Sequence, residues 1–177
     1  MKTKTTSETG TMDLNLPPNT MTQNFIQTLV NNYRNNQLKS VKDKMGIDDA
    51  HSIHFDLVTL KKFIADIELL AAANNPEDLG IRFYYAAYPD LENWDVMNGT
   101  PIGREYAGKH TLVMIPTIKR QDENGEMLSY DFNPLTLSGD GNVLAMASAK
   151  NANSESEIVC QNHGALIPPD STKTELF

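Results

Sequence analysis

The sequence predicts an α+β domain: an antiparallel three- to four-stranded meander with two main helices packed on one face. Three observations predict it. Two stretches in the first half repeat apolar residues at helical spacing. Three later stretches are short, rich in aromatic or β-branched residues, and bounded by glycine, proline or Asn-Gly. Those three runs in succession make an antiparallel meander that carries the helices on one face.

The first helix is expected near residues 21–38. Thr20 and Gln23 stand at capping-box spacing, where the hydroxyl accepts an early amide and the Gln side chain reaches back. Met21, Phe25, Leu29 and Tyr33 keep one face, with Ile26 and Val30 beside them. The pattern weakens through a polar Asn/Gln stretch, then extends by Leu38 and Val41 to Met45, where Gly46 offers a left-handed stop. Ser52 to Phe55 reads as a very short strand. Asp56 occupies an N-cap position before Leu57, Leu60, Ile64, Ile67 and Ala71 at helical spacing, with Phe63 and Leu70 widening the stripe. Asn74-Asn75-Pro76 ends this second helix.

Ile81 to Tyr88 opens after Gly80 and closes at Pro89 as the first long strand. Alternation sets Arg82, Tyr84, Ala86 and Tyr88 on one side and Ile81, Phe83, Tyr85 and Ala87 on the other. Thr111 to Lys119 is apolar enough for a central strand, although Pro116 argues for an edge or a bulge. An Asn124-Gly125 turn leads into Met127 to Phe132. The connection from Asp90 to His110 is long for such a domain and holds the only tryptophan, Trp94. Two readings are open for it: a binding surface, or a packed excursion with Trp94 plugging the core edge. Beyond Pro134, a turn at Ser138 to Asn142, a small-residue apolar run from Val143 to Ala149 and a polar stretch from Lys150 to Glu157 precede a last short element, Glu157 to Gln161. The expected organisation is a disordered leader over 1–18, one domain over 19–167 and a flexible tail over 168–177.

Composition narrows the function. A chain of 177 residues with 40% hydrophobic and 21% charged residues holds one ordinary core. Its mean hydropathy of -0.42 and the absence of a long apolar run predict no membrane-spanning helix, and a cytoplasmic location is expected. Cys160 is the only cysteine, so no internal disulfide and no multi-cysteine metal module is available. A net charge of -8 repels phosphate backbones, which disfavours nucleic acid as a partner.

Few residue groups carry chemistry. Arg82 on a strand face with Tyr84 and Tyr88 suits a carboxylate or phosphate, with the rings as walls. The structural alternative is an arginine lying over the sheet and paired with an acidic neighbour. His51 and His54 form H-x-x-H, followed by Asp56, and Cys160 and His163 form C-x-x-H. With His110 these offer the nitrogen, sulfur and oxygen donors zinc takes, although extended backbone would turn His51 and His54 to opposite faces. A Cys160 nucleophile needs a nearby cation or histidine to generate thiolate, and its Ile158-Val159 flank reads instead as a small buried hydrophobe.

The run Gly80-Ile81-Arg82-Phe83-Tyr84-Tyr85, the later Thr111-Leu112-Val113-Met114, and Asn162-His163-Gly164 before Pro168-Pro169 resemble an uncharacterised family of small bacterial proteins. The resemblance implies one domain of bacterial origin and no activity. The leading expectation is a non-catalytic domain, without cofactor, that binds a protein or small ligand through Arg82, Tyr84 and Tyr88 or through the Trp94 loop. The alternative is a metal-assisted hydrolase using zinc with His54, Asp56, His110, Cys160 and His163. The third is a structural homodimer packing Phe25 and Tyr33 of the first helix across a two-fold axis.

Overall fold

The computed structural model describes residues 21–135 and 158–177. The leader, the Thr20 cap and the stretches from Ser138 to Glu157 lie outside the described residues. The first helix starts at Thr22, whose hydroxyl accepts the Phe25 amide at 3.3 Å. It runs as α1 (Gln23–Tyr33), widens into a π-helical turn over Arg34–Leu38, and continues as α2 (Lys39–Met45). Gly46 ends it in the expected left-handed conformation at φ 68°. The widened turn falls in the Asn/Gln stretch where the apolar pattern weakens. In a straight α-helix a four-residue step drifts by about 40° around the axis. The π turn takes up that drift, so Leu29, Tyr33, Gln37 and Val41 all line one groove.

The second helix is α3 (Leu57–Leu70). Asp56 stands at its N-cap, yet its carboxylate meets His54 Nε2 at 3.3 Å instead of capping an amide. The strands are β1 (Ser52–His54), β2 (Leu79–Ala87), β3 (His110–Gln121), β4 (Met127–Asp131) and β5 (Ala165–Ile167). The predicted α+β class holds: β2, β3 and β4 form a three-stranded antiparallel meander in that order, and β1 pairs with β5 in a separate two-stranded sheet. The β2–β3 register runs unbroken from Leu79↔Ile118 to Ala87↔His110. Pro116 therefore lies in a central strand, contrary to the edge or bulge its type suggests. It is tolerated because β4 stops at Asp131, paired with Thr117, so little ladder is left for a proline amide to donate to.

The main core lies between α3 and one sheet face. Phe63 and Ile67 pack on Met114, with Leu60, Leu79 and Ile81 around them. Ala71 joins Ile118 and Phe132 beneath. A second cluster of Ala50, Tyr88, Trp94 and Leu166, with Ile53, Ile102 and Tyr106, fills the far end of the sheet. It settles the long connection: two 3₁₀ turns, Trp94–Met97 and Arg104–Tyr106, fold it inward. The Tyr88 ring lies 6.5 Å from Trp94 and edge-on to Tyr106 at 5.6 Å. Gly164 lets β5 approach β1, because a Cβ there would meet the Ile53 side chain at 2.4 Å and the Phe55 ring at 2.7 Å.

The expected flexible tail is docked among the described residues. Glu175 accepts from Ser52 Oγ at 2.5 Å and Arg34 Nη2 at 3.0 Å, and lies 3.4 Å from His51 Nδ1. Burial raises the Glu175 carboxyl, but the bonds from Ser52 and His51 and the Arg34 charge outweigh it and hold the group below the ordinary glutamate range. No helix among the described residues is long and apolar enough to cross a membrane.

Candidate functional site

α1 and α2 lie on the same sheet face as α3, above Tyr85 and Leu112, but leave a groove of about 760 Å³. Leu29, Val41, Ile53 and Leu112 give it apolar walls, and Tyr33, His51, Tyr85 and His110 are the titratable groups that reach it. Among the described residues no carboxylate lines it, in a chain whose net charge is -8.

At its end sits a carboxylate–histidine pair. The Asp49 side chain has no exposed surface, whereas that of His110 is 46% exposed. One Asp49 oxygen accepts the Ala50 amide at 2.8 Å and the His110 amide at 2.7 Å. The other is bonded to His110 Nδ1. Lys109 Nζ also donates to the Asp48 carbonyl, so two successive residues before β1 are fastened to the start of β3. A carboxylate accepts at Nδ1, so Nδ1 carries the proton and Nε2 is the atom left for a ligand. Nε2 accepts when the ring is neutral and donates when it is charged. Burial, then the negative charge of Asp49, then Tyr85, raise the Tyr33 phenol above its ordinary value. Tyr33 is thus a neutral hydroxyl beside an oriented imidazole. Ser52, also on the groove, has its hydroxyl engaged by Glu175.

Apart from His51 and His110, the residues singled out in the sequence for binding or chemistry fall elsewhere. Arg82 donates to Asp131 at 2.5 Å and to the Ser129 carbonyl at 2.8 Å, and the Tyr84 hydroxyl donates to the other Asp131 oxygen. The guanidinium is paired with an acidic neighbour, the structural alternative for that face. Tyr88 and Trp94 are buried, 6% and 5% exposed, and the Tyr88 hydroxyl donates to Asn162 at 3.1 Å. Aromatic bulk at the end of a sheet was needed to close the second core cluster, and these two rings supply it.

His54 and Asp56 are neighbours at the head of α3, and Cys160 is exposed in a separate depression of about 610 Å³ beside Val58 and Phe63. His163 is exposed, with its amide donating to Gln161 Oε1 at 2.8 Å. Of the histidines singled out in the sequence, His51 and His110 reach the groove, whereas His54 and His163 do not line it. Among the described residues no group of three or more His, Cys, Asp or Glu is arranged to hold a metal ion. His110 was legible as a candidate; Asp49 was not, since its partner is 61 positions away and its local context is one more acidic pair.

No protein-family model matches the chain, and no curated protein or solved structure matches it.

Proposed function

We propose that the chain is a non-catalytic, cytoplasmic binding domain that takes a small, mostly apolar ligand with one polar head in the groove beneath the first helix. What carries the reading is the locked Asp49–His110 pair at the end of an apolar groove. A buried carboxylate with three donors fixes the imidazole in one orientation, which favours recognition because little freedom is lost when a ligand binds. The wall chemistry selects the ligand. Apolar side chains take the body; the Tyr33 hydroxyl donates, as does His110 Nε2 when its ring is charged, and with no carboxylate on the lining among the described residues they suit an anionic or strongly accepting head.

Anilinonaphthalene sulfonate, an apolar dye with an anionic head, tests this by fluorescence titration with decanoate as competitor. The expected result is saturable one-to-one binding that decanoate displaces. His110→Ala should weaken it about tenfold, the loss of one hydrogen bond to a charged group, and Leu112→Glu should abolish it. Equal dye binding by all three proteins would overturn the reading.

A further inference from the structure

From the free edge of β2 we infer a second interaction surface, one that takes another copy of this chain and closes two meanders into a six-stranded sheet. Among the described residues no strand pairs with the edge of β2 that faces away from β3. The Tyr88 amide donates to the Lys109 carbonyl, which fixes the phase of the ladder. By antiparallel alternation the even-numbered residues of β2 bond to β3. Leu79, Ile81, Phe83, Tyr85 and Ala87 therefore turn their amides and carbonyls outward. Side chains of those same residues share one face, and there Phe83 is 52% and Tyr85 93% exposed. Open backbone and open aromatic surface thus coincide on one strand.

Nothing on this edge resists pairing. Nine consecutive residues keep register without a bulge, and the strand contains no proline, lysine or carboxylate, the usual guards of an edge. Its single charge, Arg82, is already neutralised by Asp131. In a chain of net charge -8, this edge is where two copies meet without opposing carboxylates.

The strand is also complementary to itself. With Phe83 on a two-fold axis, all nine residues pair, and odd residues meet odd ones, as the outward amides require. Phe83 then faces its copy, and Ile81 faces Tyr85 of the second molecule. Four partly exposed rings bury about 600 Å². The joined edges bring the total to roughly 1,200 Å², the lower limit of specific interfaces. A dimer that forms in the micromolar range is the corresponding expectation.

Sedimentation equilibrium over a concentration series, together with oxidative cross-linking, tests the proposal. The wild-type chain should pass from monomer to dimer as concentration rises. Phe83→Lys, which places a charge on the axis, should leave a monomer with an unchanged far-ultraviolet spectrum. Phe83→Cys in a Cys160→Ser background should form an intermolecular disulfide with copper-phenanthroline, since paired Cα atoms lie about 5.5 Å apart. Leu91→Cys in that background, at a site 61% exposed away from the strand, should not. A wild-type monomer at every concentration would overturn the dimer. A dimer that survives Phe83→Lys, or Phe83→Cys chains that fail to cross-link, would overturn its placement on β2. Dye binding in the groove is read separately, so neither result stands in for the other.

Discussion

The two long helical segments carry similar stripes in the sequence and are held in different ways. α3 presses Phe63 and Ile67, 5% and 3% exposed, into the sheet. α1 and α2 bury no residue, and Phe25 and Leu29 remain 52% and 47% exposed. A polar tie helps to hold this segment: Arg34, in the turn between them, reaches Glu175 of the C-terminal segment, which in turn is bonded to Ser52 of β1. Amphipathic spacing therefore announces that a helix forms, while the surface offered to it decides whether its stripe becomes core or the roof of a groove.

The sharpest way to break this comparison is to truncate each stripe. Phe63→Ala should cost about 3–5 kcal/mol, because a fully packed ring leaves a cavity between α3 and Met114. Urea unfolding measures it; a loss comparable to that of an exposed site would mean that α3 is not the anchor. Glu175→Gln should have an intermediate effect of about 1 kcal/mol. It should appear chiefly as lower amide protection in residues 30–38, with α3 unchanged in hydrogen exchange.

Acid should reproduce that change. The folded Glu175 carboxyl sits below its ordinary value, so its contribution is complete above that value and lost as the pH falls through the folded one. Protection of α1 should thus fade below about pH 4.3 while the α3 core persists; equal fading of both helices would remove Glu175 as the specific tie. Phe25→Ala should have the smallest effect, within about 0.5 kcal/mol. A loss as large as that of Phe63→Ala would show that the α1 stripe is covered in solution.

Much of the fold was legible because it rests on local chemistry. Gly46, the Pro89 stop and the Asn124-Gly125 turn mark boundaries through φ preferences or missing amides that act within a few residues. The site was legible only in part. His110 drew attention by residue type, whereas Arg82, equally prominent, proved to be committed to Asp131 and Ser129. Tyr88 and Trp94 show the same limit from the other side: an aromatic in a long loop carries no mark that separates a surface anchor from a plug.

By itself, then, the sequence determined the helices, the three long strands, their order and the acidic balance of the chain, since spacing and turn chemistry are properties of neighbours. Tertiary structure decided that Asp49 would orient His110, that Glu175 would hold Arg34, and that among the described residues no strand would cover the outer edge of β2. Each of those joins or exposes groups far apart along the chain, and a long-range contact leaves no periodic trace in the residues that make it.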